Sequence, residues 1–201
     1  MINKRFIIVI SILLAIVLIS FFTYKFMENG NTTFNKSEEK IIENILNMNS
    51  YKATMAIEIE TNKNKTKYVV KQSLTEENKS IQEIIEPSNI AGVITEYDGK
   101  NLKISNNKLD LSTTFENYQY VVDNNLWLNS FLKDYKESKN SKYSNQNNEI
   151  LLEVKNEDRN KYNIYKKLYI DVETGKPIKM IVQDINQKTL VYILYTEIEI
   201  S

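Results

Sequence analysis

The sequence predicts an α+β fold dominated by β structure. A curved antiparallel sheet of about nine to eleven strands carries helices on its concave face, behind an N-terminal transmembrane helix. Three observations lead there. From Tyr51 to the C-terminus, apolar and polar residues alternate in short runs separated by Asn-, Gly- and Lys-rich breaks. Two stretches, around Ile41–Met48 and Leu128–Tyr135, have helical apolar spacing instead. At the start of the chain, Phe6 to Phe22 runs without a charge.

That first run follows Lys4 and Arg5 and continues to Tyr24. At about 1.5 Å per residue it reaches roughly 28 Å, close to the thickness of a hydrocarbon core. Its exit, Ser20-Phe21-Phe22-Thr23-Tyr24, is bulky where a signal-peptidase site needs small residues, so an uncleaved signal anchor is expected ahead of a cleaved signal. No cysteine follows it to take a lipid. Lys4 and Arg5 keep the N-terminus cytoplasmic, and the rest of the chain is expected outside the cell membrane as a single-pass protein. Residues 1–26 are therefore read as anchor, 27–36 as a polar linker containing Gly30, and 37–201 as one extracytoplasmic domain. With no cysteine there is no disulfide, so the core alone must hold the domain together.

Ser37 to Asn47 forms the first helix, with Ile41, Ile42, Ile45 and Leu46 on one side. Tyr51, Ala53, Met55, Ile57 and Ile59 alternate with Lys52, Thr54, Ala56, Glu58 and Glu60, giving a strand with one wet face. Strands follow at Lys67–Leu74, Ser80–Ile85 and Gly92–Tyr97, and Asp98-Gly99 turns the chain into Leu102–Ser105. A short strand is expected at Lys108–Leu111, then a short helix or turn packing Phe115, Tyr118, Tyr120 and Val121. Leu128, Phe131, Leu132 and Tyr135 stand at i, i+3, i+4 and i+7 and place a second helix over Asn125–Lys136. Lys136–Asn148 is polar and of low complexity, and is expected to be a loop with at most a weak edge strand. Strands resume at Glu149–Lys155, Tyr162–Val172, Ile178–Ile185 and Thr189–Ile200. The last is apolar on both faces from Leu190 to Tyr195, so cover on both sides is expected there.

The segments Tyr68–Gln72, Glu86–Gly92, Tyr97–Asn106, Asn125–Tyr135 and Tyr169–Lys179 together resemble the LolA/LolB-like fold, and within it the GerS-type germination lipoproteins of clostridial spores. The likeness runs from about Lys36 to the C-terminus and contains no catalytic signature. It implies an unclosed half-barrel with helices filling its mouth. It also implies one of two tasks, holding acyl chains in the concave cavity or assisting a spore-cortex amidase by binding it. The chain departs from the germination lipoproteins in lacking the acylated cysteine.

The composition excludes most enzyme chemistry. The chain has His 0 and Cys 0, so no Ser-His-Asp or Cys-His arrangement, no thiolate and no histidine-held zinc can be built. With Gly 4 and no Gly-rich motif, no phosphate loop is present either. Lys+Arg and Asp+Glu both number 26, which gives no electrostatic case for nucleic acid. Glu76-Glu77 is the most obvious carboxylate pair by sequence, and it reads as a solvated turn. No catalytic residue, cofactor or metal is expected.

What remains is binding. Leu128, Phe131, Leu132 and Tyr135 are the candidate cavity or helix-packing residues. Trp127, the only tryptophan, is either core or an exposed anchor for a partner. Tyr165 and Tyr169, with Tyr192 and Tyr195, are candidates for a ladder on one sheet face, against the alternative of ordinary cross-strand pairing. Lys4, Arg5, Phe6 and Phe22 bound the membrane anchor. The leading expectation is a non-catalytic, membrane-anchored accessory protein of sporulation or germination, with a cell-wall amidase as partner and the forespore intermembrane space as a place of action. The alternative is a lipid or lipoprotein carrier, whose cavity must be apolar and whose helices must move aside. An envelope-stress sensor of the same fold is disfavoured by the lack of a cytoplasmic domain to signal through.

Overall fold

A computed structural model describes residues 36–75, 77, 79–118, 125–156 and 164–201. The chain divides into two units, Met1–Asn35 and Lys36–Ser201. The anchor residues Lys4, Arg5, Phe6 and Phe22 and the linker up to Asn35 lie outside the described residues, as do Glu76, Tyr120, Val121 and Tyr162. Among the described residues, no helix is long and apolar enough to cross a membrane.

The second unit opens with helix α1 (Lys36–Leu46), whose first turn carries Glu38 and Glu39 against the positive end of the helix dipole. Six strands follow: β1 (Tyr51–Glu60), β2 (Lys65–Leu74), β3 (Ser80–Glu86), β4 (Val93–Tyr97), β5 (Leu102–Asn106) and β6 (Leu111–Phe115). Helix α2 (Leu128–Glu137) separates them from β7 (Ser141–Gln146), β8 (Glu149–Lys155), β9 (Tyr165–Asp171), β10 (Pro177–Gln183) and β11 (Thr189–Ile200). All eleven strands make one sheet in the order β6-β5-β4-β3-β2-β1-β11-β10-β9-β8-β7, antiparallel throughout and open between β6 and β7. The strands thus form two meanders, β1–β6 and β7–β11, joined along the β1/β11 seam. This is the unclosed, mainly β architecture expected of the sequence, with both helices on its inner face.

The alternation of each strand decides which side chains meet the helices. Tyr51, Ala53, Met55 and Ile57 of β1 are buried, while Lys52 and Glu58 stay in water. Val70, Leu152, Leu168, Ile170, Met180 and Ile193 continue the same inner surface, and Ile45 of α1 joins them. At roughly 25 cal/mol per Å2 of apolar area removed from water, this continuous cluster is the main source of stability in a domain without disulfides.

Several expectations are corrected. Residues 107–110 are a turn, with Asp110 at φ 52°, so the strand expected at Lys108–Leu111 begins instead at Leu111. Phe115 ends β6 and does not belong to a helix. The low-complexity stretch after α2 contains a full strand, β7, at the edge of the sheet. Its hairpin to β8 turns at Asn147 and Asn148, both left-handed with φ 52° and 64°. Asparagine tolerates that region better than other side chains, which is why an Asn-rich run that looks unstructured makes a tight turn. Helix α2 starts at Leu128, three residues later than the spacing suggested, with Trp127 as its N-cap. Finally, β11 is not covered on both faces: Ile193 and Tyr195 are buried inside, and a register shift at Thr196, between the partners Thr54 and Met55, keeps Ile198 on that same face. Leu194, on the outer face, is exposed.

Candidate functional site

The inner face and its helix α2 are the place where the two implied tasks differ. A carrier needs room there and a helix that can leave. Leu128 and Phe131 are fully buried and Leu132 is 5% exposed, so the apolar stripe is spent on the sheet. Tyr135 is half-buried and stacks on Phe131 with ring centroids 6.1 Å apart. Trp127 is 4% exposed and belongs to the same core, which removes it as a surface anchor.

Polar groups fix both ends of α2. Trp127 offers no side-chain cap, and the sheet supplies one. The Tyr51 hydroxyl of β1 accepts from the Leu128 backbone N–H and donates to Gln72 Oε1 of β2 at 2.9 Å. Gln72 Nε2 donates to Gln82 Oε1 at 2.8 Å and to the Leu126 carbonyl at 3.2 Å, holding the residues that lead into the helix. Burial, aided by the neighbouring Tyr195 phenol, pushes the Tyr51 hydroxyl well above its ordinary pKa, and the Leu128 N–H opposes this. Burial alone pushes Tyr195 up. Both phenols are therefore neutral over the whole physiological range, and Tyr51 keeps its proton to donate to Gln72.

At the other end, Lys166 Nζ of β9 pairs with Asp134 Oδ2 at 2.5 Å, the two side chains being 1% and 4% exposed. One turn further, Ser138 N–H donates to the Asp134 carbonyl and its hydroxyl to the Lys155 carbonyl of β8. Helix α2 is therefore pinned to the first meander at its N-terminus and to the second at its C-terminus. Charges this deeply buried fix an arrangement, since removing either partner strands the other in a low-dielectric interior.

The outer face is different. A cavity of about 400 Å3 is lined by Lys52, Thr54, Lys71, Ser73, Glu83, Glu197 and Glu199. Another of about 420 Å3 is lined by Lys142, Glu153, Lys155, Tyr165, Lys167 and Gln183. Tyr165 and Tyr169 both lie on this face, but Lys179 Nζ covers the Tyr169 ring at 4.1 Å and itself bonds Glu149 at 3.2 Å. The expected tyrosine ladder does not form: Tyr165 pairs with Gln183, Tyr169 with Lys179, and Tyr195 is inside. Of the Glu76-Glu77 pair, Glu77 is described and exposed. Among the described residues no group of His, Cys, Asp and Glu is placed to hold a metal. A last feature is apolar and open: Leu109, Leu111 and Phe115, around β6, are 65%, 61% and 45% exposed.

Sequence reasoning missed Tyr51, Gln72, Asp134 and Lys166 as a group. The signal for two of them was present. Asp134 falls inside the Phe131–Tyr135 stripe, and Lys166 falls in phase with Ile164, Leu168 and Ile170.

The profile of the sporulation protein YdcC-like family matches residues 4–201. The chain belongs to that family. No curated protein matches it. Among solved structures, it is similar to a chain in the structure of the CwlD amidase from Clostridioides difficile in complex with the GerS lipoprotein. Identity there is 24%, coverage is 83% of this chain and 96% of that one, and the TM-score is 0.53. It is also similar to the LolA superfamily protein NE2245 from Nitrosomonas europaea, with 12% identity, coverage of 81% and 93%, and a TM-score of 0.40. The YdcC-like chain thus has a place in a sporulation family and shares its fold with a chain of the amidase–lipoprotein complex.

Proposed function

We propose that this YdcC-like chain is a non-catalytic accessory protein of spore formation or germination, held at the membrane by its N-terminal helix with the domain outside. Its task is to bind and activate a cortex-modifying cell-wall amidase. The observation that carries this reading is the filled inner face. With Leu128, Phe131 and Leu132 buried and α2 tied down by Tyr51 and Lys166, an acyl chain has no place there without dismantling the core. The family membership and the solved complex between an amidase and a lipoprotein of this fold supply the partner class. The chain's own residues offer no His or Cys for the hydrolysis, so the chemistry belongs to the partner.

The test is affinity purification of the full-length, membrane-anchored protein from sporulating cells, with mass spectrometry of protein and lipid in the eluate. A stoichiometric amidase without lipid is expected. Lipid or acylated protein in the eluate with no amidase overturns the reading and restores the carrier.

A further inference from the structure

Strand β6 ends the sheet, and among the described residues it pairs with β5 alone. The backbone N–H and C=O groups on its far side are therefore open to another strand. Native edge strands are normally blunted by lysine, proline or a bulge. None of these protects β6. Its sequence, Leu111-Ser112-Thr113-Thr114-Phe115, has no charge and no proline, and its register with β5 runs from Asn106↔Leu111 to Leu102↔Phe115 without a shift. The other edge is defended, since β7 carries Lys142, ion-paired to Glu153 at 3.6 Å.

The surroundings define what fits. Leu111, Thr113 and Phe115 share the face of β5 residue Ile104, itself 36% exposed, so alternate positions of an added strand meet an apolar surface. Ser112 and Thr114 present hydroxyls on the other face. The cations beside β6 are spoken for or set back: Lys103 of β5, opposite Thr114, is paired with Glu96 at 3.5 Å, and Lys108 lies with its stem 3.5 Å from where a Cβ at Gly92 would stand, two strands in from the edge. This leaves the exposed carboxylates of Asp110 and Glu116 bracketing β6.

We propose that β6 is the docking edge for an extended segment of the partner amidase, uncharged over about five residues and basic at both ends, which pairs with β6 and extends the sheet. The proposal rests on the amidase-binding reading and names its surface. The uncharged strand and its acidic ends select that occupant over a charged or acidic peptide.

Hydrogen exchange of the full-length chain in detergent, with and without the purified amidase, tests it. Binding should slow the exchange of amides in Leu111–Phe115 by about tenfold or more and leave Ser141–Gln146 unchanged. Leu111→Lys and Thr113→Lys, both at exposed positions, should weaken binding by about tenfold or more with an unchanged melting temperature, and Ser144→Lys on β7 should not. A complex that forms with β6 exchange unaltered, or that tolerates both lysines, overturns the docking edge and leaves the accessory function standing. Slowing of β6 in the chain alone as its concentration rises assigns the edge to a second copy and also overturns it. Absence of any complex sinks the amidase reading, and this surface with it.

Discussion

Replacing Lys166 by methionine keeps most of the side chain's length and volume and removes its charge. Asp134 is then 4% exposed without the ammonium group that lies 2.5 Å away in the wild type. Breaking a buried pair from one side costs about 3–5 kcal/mol, because the remaining carboxylate loses its counter-charge but not its desolvation. A single domain typically has about 5–15 kcal/mol in total, so the loss is a large part of the whole. With a urea slope of about 2 kcal/mol per molar, the unfolding midpoint should fall by roughly 2 M. Trp127 is the natural probe: it is the only tryptophan, buried at the N-terminus of α2. The reciprocal change Asp134→Leu should cost a similar amount. The double variant Asp134→Leu/Lys166→Met should recover to within about 1 kcal/mol of wild type, since an apolar pair of similar volume replaces an ionic one at little net cost. A fall of less than about 1 kcal/mol for Lys166→Met, or strictly additive losses in the double variant, would refute the view that this pair fixes α2 on the sheet.

Other consequences of the structure are as direct. Tyr51→Phe removes the donor to Gln72 Oε1 and the acceptor for the Leu128 N–H, so a loss of about 1–3 kcal/mol is expected in the same urea experiment; no change would mean the hydroxyl does not cap the helix. Asn148→Val places a β-branched residue at φ 64° and should lower stability by about 1–2 kcal/mol, whereas Asn148→Gly should be tolerated, both read from thermal melts. The pH dependence follows from carboxylates held below their ordinary pKa values. Glu58 is lowered first by its hydrogen bond from Lys65, Asp98 by the Asn101 and Lys100 N–H groups, and Asp171 by the Thr174 hydroxyl and N–H. A depressed folded-state pKa gives stability that is present above the unfolded value, about 4, and lost as the pH falls through the folded one. With His 0 in the chain, the melting temperature should be level from about pH 6 to 8 and drop only in acid; a step near neutrality would refute this.

How much of this was legible in the residues depended on whether a feature was periodic. β1 and β9 show their buried positions as plain alternation, and α2 shows its stripe at i, i+3, i+4 and i+7, because burial on one face writes itself into every second or every third-to-fourth residue. β7 was hidden, since an edge strand over a short part of the sheet buries little and needs no apolar face. β6 was misplaced because it is exposed at every position, so no period marks it. β11 looked like a strand covered on both sides because its outer residues Leu190, Tyr192 and Leu194 are apolar as well, but an apolar side chain on the outer face of a sheet need not be covered. The Lys166–Asp134 pair was missed for a different reason. Each residue falls in the apolar phase of its own element, but neither phase names a partner, and only the docking of α2 on β9 makes them a buried pair 32 positions apart.

The β1/β11 seam has a bearing on how such a chain is made. Every other pairing in the sheet joins strands that are neighbours in sequence, and these hairpins form locally and fast. The seam alone bridges the two meanders at long range: Thr54 meets Glu197 across a separation of 143, and the Ser50 and Ser201 backbones bond each other just beyond the paired strands. During synthesis or export the first meander emerges with β1 lacking its partner, a bare central edge in waiting, until β11 has followed. Folding of the whole is therefore gated by arrival of the C-terminal strand. A ribosome or translocon that stalls before it leaves two sticky half-sheets for quality control to remove.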